Sequence, residues 1–252
     1  MLVFDLETGP LSDEQLREVY TPLDESKIEG LVTGDFDPAS VRVGNLKDQA
    51  KIKEKVDQAR AAHESALANA AGIIAAAKAQ HWQTFIADAA LSPLTGRILV
   101  ISYHATEKGR SLVEEKPEPE LLTGFWKAYQ RCRRDGRKMV GHNISGFDIP
   151  FIVRRSWLHD IPVPTTVFER GKWLDSSTLV DTLSLWKCGT NDGAGLDLLG
   201  RAFGIGGKTE GVNGADFSRL YFGTPEEKAK AIEYATRDVI VTAGVATRMG
   251  VI

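Results

Sequence analysis

Short apolar runs bounded by turn residues recur along the chain and predict the strands of a sheet. The first, Leu2–Phe4, leads directly into Asp5, Leu6 and Glu7 and ends at a Gly-Pro turn. The other runs lie at Arg97–Tyr103, Met139–Asn143 and Leu179–Leu183. We expect each of them to form a buried strand or a strand-like segment.

Helical patterns follow these strands in the second half of the chain. Pro150 stands where a proline fits the first turn of a helix, which runs on to Arg155. Leu196–Phe203 and Pro225–Met249 also predict helices, the second with Thr224 as its N-cap. This order of elements predicts an α/β fold in which a mixed sheet carries helices on both faces.

Residues 11–92 do not follow this alternation of strands and helices. Leu46–Ala90 is rich in Ala, Lys, Gln and Glu and has apolar residues at helical spacing. We expect one long helix there, or two helices broken near Gly72, inserted after the first strand of a single domain that spans residues 1–252. The insertion is interpreted as an arm packed on the core, or as an arm that guides DNA or binds a replication or recombination protein.

Composition adds little about function but excludes several classes. The net charge of −3 argues against a protein that coats nucleic acid through its overall charge. No apolar run approaches the roughly 18 residues that span a bilayer, and the chain does not begin like a signal peptide. Cys132 and Cys188 lie far apart, without zinc-ligand spacing. We therefore expect a cytoplasmic protein with no membrane partner.

Asp5 and Glu7 are the first candidate functional residues. Alternation along a strand places both side chains on one face, where two carboxylates repel each other. No Lys or Arg lies within nine residues on either side. A divalent ion would compensate both charges, because Mg²⁺ prefers carboxylate oxygen. The alternative is a strand end whose acids are solvated.

Two more acids lie on other predicted elements. Asp148 stands between a strand and a helix, where it is either a functional acid or a helix N-cap. Tyr234 and Asp238 are four residues apart, on one face of the last helix. Four acids on three separate elements are typical of a site that binds two divalent ions for phosphoryl transfer. We expect Mg²⁺ or Mn²⁺ as the cofactor.

Three motifs resemble those of the DEDD 3′→5′ exonucleases, a family of the ribonuclease-H-like superfamily. FDLET at Phe4–Thr8 resembles the first motif, GHNISGFDIPFI at Gly141–Ile152 the second, and YATRD at Tyr234–Asp238 the third. The third motif contains a tyrosine and no histidine follows His159, so the resemblance is to the tyrosine subtype. It implies a ribonuclease-H-like mixed sheet flanked by helices, with residues 11–92 as a helical insertion.

The resemblance also implies roles for the acids. Asp5, Glu7, Asp148 and Asp238 would bind the metal ions, and Tyr234 would help to orient the attacking water. The second motif is similar in its spacing to the proofreading domains of family B DNA polymerases. The overall fit is to stand-alone, often phage-encoded, predicted exonucleases related to those domains.

The activity implied is hydrolysis of phosphodiester bonds at the 3′ end of DNA, with single strands favoured. An exoribonuclease with the same site is the alternative within the enzyme class, because sugar choice depends on local contacts to the 2′-hydroxyl. A non-catalytic module that binds nucleic acid is the alternative from another class. The presence of all four acids and Tyr234 argues against it.

Four residues are candidates for substrate binding. By similarity, Thr8 would lie near the terminal nucleotide and Asn143 would contact the backbone or sugar, although a turn residue and a local cap are the plain alternatives. Phe147 would stack on a base or pack in the core. Lys208 follows a glycine-rich stretch that would let the backbone approach a phosphate.

Other residues near the motifs have weaker functional interpretations. The basic run Arg131–Lys138 would contact phosphates or form a solvated helix end. Trp173 and Trp186 would stack on bases or pack in the core. Asp181 would support the metal site or cap a strand end, and His142 is interpreted as a structural histidine.

Overall fold

A computed structural model describes residues 1–24, 26, 35–168, 174–207 and 214–251. It divides the chain into two compact units. One unit comprises residues 1–13 and 89–252 and contains the sheet, whereas residues 14–88 form the other. That the two units make up a single exonuclease domain stays a prediction.

A mixed sheet of five strands lies in the first unit. Its strands are β1 (Leu2–Pro10), β2 (Gly96–Ala105), β3 (Arg110–Glu114), β4 (Met139–Gly141) and β5 (Leu179–Asp181), in the order β3-β2-β1-β4-β5. β2 runs antiparallel to both β1 and β3, while β4 is parallel to both β1 and β5. The long antiparallel pair β1–β2 therefore forms the centre of the sheet.

Helices account for most of the remaining described residues. The second unit contains most of α1 (Asp13–Val19) and α3 (Ala70–Ala89) and all of α2 (Gln49–Ala68). The first unit contains α4 (Glu118–Arg134), α5 (Asp148–Leu158), α6 (Thr182–Lys187), α7 (Leu196–Ala202), α8 (Gly214–Tyr221) and α9 (Pro225–Arg248). No helix in the described ranges is both long enough and apolar enough to span a membrane.

Helices pack on both faces of the sheet, as the sequence predicts. Phe4 and Leu6 of β1 pack on one face with Phe125 of α4 and Ile152 of α5. On the other face, Val3 packs against Val239 of α9, one residue after the acid of the third motif. Because side chains alternate along β1, the strand contributes to both halves of the core.

The predicted elements are confirmed, with shifted ends. The third predicted strand stops at Gly141, and the fourth stops at Asp181, where α6 begins. In the second unit the helices break at Asn69, and Gly72 lies inside α3. Asn69 there leaves helical geometry and donates its side-chain amide to the carbonyl of Ser65. β3, α4 and α8 are additions that the sequence patterns did not indicate.

The second unit buries few of its side chains. None of the residues of α2 is buried, and in α3 only Ala89 is. An aromatic cluster holds α1 and α3 together, with the Tyr20 ring 4.8 Å from that of Trp82 and its hydroxyl 2.7 Å from Nδ1 of His81. A role of this unit in guiding DNA or binding a replication or recombination protein stays a prediction.

Candidate active site

β1 and α9 bring three acids together. Asp5 and Glu7 share a face of β1 with Val3, which packs on α9. Asp238 precedes Val239 on α9 and is only 3% exposed, and Glu7 is 7% exposed. One carboxylate oxygen from each of the three acids lies within 4.8 Å of the others.

This spacing fits a divalent cation. Two oxygens bound to one Mg²⁺ at about 2.1 Å lie at most about 4.2 Å apart, so a small contraction of the cluster would complete a coordination sphere. Three carboxylates form a hard-oxygen donor set, which suits Mg²⁺ or Mn²⁺ rather than the softer metals that take thiolate or imidazole. Asp5, Glu7 and Asp238 are thus the residues that could hold a metal ion.

A β-bulge lies immediately beside the acids. Glu7 is opposite Val100 while Thr8 is opposite Ile98, so Leu99 is the additional residue of β2. Leu99 and Val100 consequently pack in the same cluster, which strict alternation would forbid. Bulges increase local twist and re-aim side chains, and they are common next to active sites. Thr8, partly exposed, is the first residue of β1 beyond this point.

Asp148 reaches β1 from the other side. β4 pairs with β1 only at Leu2 and Val3 and then diverges, so the edge of β1 is open beside Leu6. The amide of Leu6 donates a hydrogen bond of 3.3 Å to Oδ1 of Asp148, the first residue of α5. The N-cap of α5 is Phe147, so the interpretation of Asp148 as an N-cap is wrong.

The turn from β4 into α5 requires small residues. A Cβ on Gly141 would lie 2.9 Å from the carbonyl oxygen of Phe4 and 2.2 Å from Cγ2 of Ile144. Gly141 therefore lets the second motif pass close to β1. Asp148 lies outside the group of three converging acids and is bound to the amide of Leu6, the residue between Asp5 and Glu7.

Burial dominates the protonation of Asp148. Its side chain is 4% exposed, and this burial, reinforced by the charge of Asp181, raises the pKa of Asp148 to about 7. Hydrogen bonds from its own amide and from that of Leu6 act in the opposite direction. The carboxyl group thus has a high cost of ionisation unless a cation lies nearby.

Asp181 holds the loop of the second motif. It accepts hydrogen bonds from the amides of Asn143 at 2.8 Å and Ser145 at 3.0 Å. It also caps α6 by accepting from the amide of Leu183 at 2.9 Å. Asp181 therefore positions the loop and caps a helix, and its charge acts on Asp148. The contribution of Ser145 to this network had no signal in the sequence beyond its place in the turn.

His142 and Asn143 occupy different environments in this loop. Nδ1 of His142 lies 2.9 Å from Oγ1 of Thr182, and Nε2 lies 3.0 Å from the carbonyl oxygen of Ala194. These contacts suit a structural histidine. Asn143 is exposed and has a left-handed φ of 63°, a conformation that asparagine tolerates better than most residues. Its side chain lies over Gly146, where a Cβ would be 2.5 Å from Oδ1.

Tyr234 lies one helical turn before Asp238 and is 1% exposed. Its ring centroid is 6.4 Å from that of Phe217 on α8, and its hydroxyl points toward Gly214. A capping box of Thr224 and Glu227 defines the start of α9. The helix therefore presents Tyr234 and Asp238 from a fixed register.

The remaining candidates are distributed unevenly. Phe147 is partly buried and packs on Phe151, with ring centroids 5.5 Å apart. Lys208 and Trp173 lie outside the described residues. Trp186 is 41% exposed and contacts Phe203 edge to face.

The basic run Arg131–Lys138 lies away from the acids. The carbonyl of Lys138 accepts from the amide of Leu2, at the opposite end of β1 from Glu7. Arg133 is paired with Asp175 at 2.6 Å. The run forms the end of α4 and the turn into β4, which favours the alternative of a solvated helix end, and contact of the run with phosphates stays a prediction.

Comparison with known proteins agrees with the geometry. Residues 94–252, which contain Asp148, Tyr234 and Asp238, match the model of a family described as predicted 3′–5′ exonucleases related to the exonuclease domain of PolB. No match was found among curated proteins.

Among solved structures, the chain is similar to the family B DNA polymerase from the hyperthermophilic archaeon Pyrobaculum calidifontis, with a TM-score of 0.50 and 20% identity. The similarity covers 63% of this chain and 22% of the polymerase. It confirms the predicted ribonuclease-H-like fold. The chain belongs to the family of predicted 3′–5′ exonucleases related to the exonuclease domain of PolB.

Proposed function

We propose that the protein is a metal-dependent 3′→5′ exonuclease that hydrolyses phosphodiester bonds at the 3′ end of DNA, with single strands favoured. The observation that supports this most directly is the convergence of Asp5, Glu7 and Asp238 within 4.8 Å. Membership of an exonuclease family adds the reaction class. The relationship to a polymerase domain favours DNA over RNA.

The acids would hold two divalent ions, Mg²⁺ or Mn²⁺. When bound, such ions supply an activated water and neutralise charge on the leaving 3′-oxygen. Asp5, Glu7 and Asp238 would bind the first ion. Asp148, which accepts a hydrogen bond from the amide of Leu6, would contribute to the binding of the second ion. Burial of Glu7, Asp148 and Asp238 excludes bulk water, which strengthens their attraction for a cation.

Other residues of the chain would position the substrate. Tyr234 would orient the attacking water through its hydroxyl, which requires the ring to keep its register on α9. Thr8 would contact the terminal nucleotide, Asn143 the sugar or backbone, and Phe147 a base. Lys208 would contribute a phosphate contact.

The experiment uses synthetic DNA and RNA strands labelled at either the 5′ or the 3′ end, incubated with Mn²⁺, Mg²⁺ or EDTA. We expect 5′-labelled DNA to give a ladder that shortens from the 3′ end, and 3′-labelled DNA to release mononucleotides. EDTA and Asp5→Ala should both abolish the reaction. Glu226→Ala, which removes an exposed acid of α9, serves as the control and should retain activity.

Each other outcome has a definite meaning. Internal cuts, or activity that survives EDTA, would contradict the proposal. Faster degradation of RNA than of DNA would identify the exoribonuclease. Binding of strands without cleavage under all metal conditions would identify the non-catalytic module.

Tyr234→Phe tests the tyrosine separately. We expect a lower kcat with nearly unchanged affinity for Mn²⁺, because the substitution removes only a hydroxyl that contacts the reacting water. Calorimetric titration with Mn²⁺ and single-turnover rates measure the two effects. Equal losses of metal affinity and rate would show that Tyr234 is structural.

A further inference from the structure

A strip of the sheet near β3 is not covered by helices. On the face toward α4, Tyr103 of β2 lies opposite Leu112 of β3. Leu112 is 57% exposed although it belongs to the sheet. Gly124 and Ala128, one helical turn apart on α4, form the opposite wall. Because both are small, a cavity of about 410 Å³ remains between helix and strand.

A second cavity of about 370 Å³ adjoins the first and shares Leu2, Ala105 and Ala128 with it. Its other lining residues are Cys132 and four cations, namely Lys108, Lys127, Arg131 and Arg137. We call the two cavities together the edge groove. Its first half is mainly apolar and its second half is basic.

Two of these cations are not neutralised. Arg137 pairs with Glu107 and Arg131 lies 3.9 Å from Asp135. Lys108 and Lys127 form no ion pair with any residue in the described ranges. The basic half of the edge groove therefore keeps positive charge available for a ligand.

The apolar half contains one unsatisfied donor. Tyr103 is only 9% exposed, and its hydroxyl has no hydrogen-bond partner within the part of the chain that the structure describes. Burial, reinforced by the charge of Glu114, raises the pKa of Tyr103, so the hydroxyl keeps its proton. The buried hydroxyl therefore stays protonated beneath the wall of the apolar half and adds no charge to it.

We propose that the edge groove binds an extended acidic segment of a partner protein, whose bulky apolar side chain fills the first cavity. The acidic residues would lie against Lys108 and Lys127. β3 is the outer strand of the sheet, so its free edge offers backbone groups to an extended peptide.

Nucleic acid fits the edge groove less well. Among its described lining residues, the basic half contains no aromatic ring on which a base could stack. The one ring of the apolar half, that of Tyr103, is buried, so it offers no face to a base. An aliphatic or aromatic side chain on an acidic peptide satisfies both halves.

The experiment measures fluorescence anisotropy of a labelled peptide in which one phenylalanine is flanked by four acidic residues. Ala128→Phe fills the apolar half, and Lys127→Glu reverses charge in the basic half. We expect each to weaken binding at least about tenfold. Arg134→Glu, 73% exposed and lining a different cavity, is the charge-matched control and should bind as wild type does.

Peptides with the phenylalanine changed to alanine, or with lysines in place of the acids, should not bind. Circular dichroism verifies that each variant is folded, and Lys127→Glu, an exposed substitution, remains informative if Ala128→Phe is not. No peptide binding by the wild-type protein, or equal affinities in both variants and wild type, would overturn the proposal. Displacement of the peptide by a single-stranded oligonucleotide, lost in Lys127→Glu, would assign the groove to nucleic acid and overturn it as well.

Discussion

Asp148 and Asp175 are buried to nearly the same extent, at 4% and 3% exposure, yet their surroundings shift their pKa values in opposite directions. Burial raises the pKa of both carboxyl groups. At Asp175 this is more than offset by hydrogen bonds, among them those from Ser177, Tyr129 and Arg133, so its pKa is lowered. At Asp148, two amide donors do not compensate, and the pKa is raised.

Glu118 repeats the pattern of Asp175. Burial raises the pKa of Glu118, but hydrogen bonds from Arg155, from the amide of Ile98 and from His159 lower it below its usual value. Arg155 binds both carboxylate oxygens, at 2.9 and 2.6 Å. Acids that serve the fold are therefore supplied with cations by the protein. Asp148 has no cationic side chain paired with it in the described ranges, and a bound ion would fill that role.

The largest effect should separate catalysis from stability. Asp238→Asn removes a ligand charge, so we expect the exonuclease rate to fall at least about 10³-fold, while stability in EDTA is unchanged or raised. Asp175→Asn should show the reverse, with reduced stability and near-normal rates below its melting temperature. Single-turnover rates and thermal melts of both variants test this. A stable, fully active Asp238→Asn variant would show that Asp238 is not a metal ligand.

Breaking the structural ion pair comes next. Arg155→Met leaves Glu118 charged and buried, which should lower the free energy of unfolding by about 3–5 kcal/mol. The double substitution Arg155→Met with Glu118→Gln should recover much of this loss, since no charge is left unpaired. Urea denaturation of the single and double variants gives the comparison. An equal loss in both would mean that packing, not charge, is responsible.

The stability of the metal-free protein should depend on pH through Asp148. Since the folded-state pKa of Asp148 is about 7 and an unfolded aspartate titrates near about 4, the folded protein holds a proton that the unfolded chain has lost. Stability in EDTA should therefore fall as pH rises from about 4 through about 7. At pH 8, Asp148→Asn should be more stable than wild type by at least about 1 kcal/mol.

Mn²⁺ should reverse this trend. Its binding requires the ionised carboxylates, so metal affinity rises with pH, and a concentration of 100 Kd adds about 2.7 kcal/mol of stability. Thermal melts at pH 6 and pH 8, with EDTA or Mn²⁺, measure both effects. A wild-type melting temperature that is equally insensitive to pH and to Mn²⁺ would show that Asp148 is not adjacent to a metal site.

Local sequence patterns were sufficient to predict part of the acidic site. The alternation of β1 places Asp5 and Glu7 on one face, and helical spacing places Tyr234 with Asp238, because both periods are properties of the backbone. That β1 and α9 come together in one site could be predicted only from the resemblance to known motifs. The family model begins at residue 94, so it does not include Asp5 or Glu7, and the structure is what joins them to Asp238.

Features that depend on distant contacts were not predictable. The docking of Asp148 on the Leu6 amide follows from the divergence of β4 after Val3. β3 was missed because its residues are mostly exposed or half-buried and give no clear apolar run. The break of the arm at Asn69 rather than Gly72 reflects a side-chain hydrogen bond to Ser65, which competes with the helix.

Asp181 gives the smallest expected effect and refines the comparison, since it binds loop amides as a structural acid does while acting on Asp148. Asp181→Ala would free the amides of Asn143 and Ser145, loosening the turn that leads into α5. We expect a roughly tenfold lower rate, similar to losses seen when groups behind metal ligands are removed. The same change removes a negative charge near Asp148, so the pH at which stability falls should move downward.

Ser184→Ala, which removes one donor on the helix side of Asp181, is the control and should leave both rate and pH midpoint close to wild type. A lower rate without any shift of the midpoint would mean that Asp181 acts only by holding the loop.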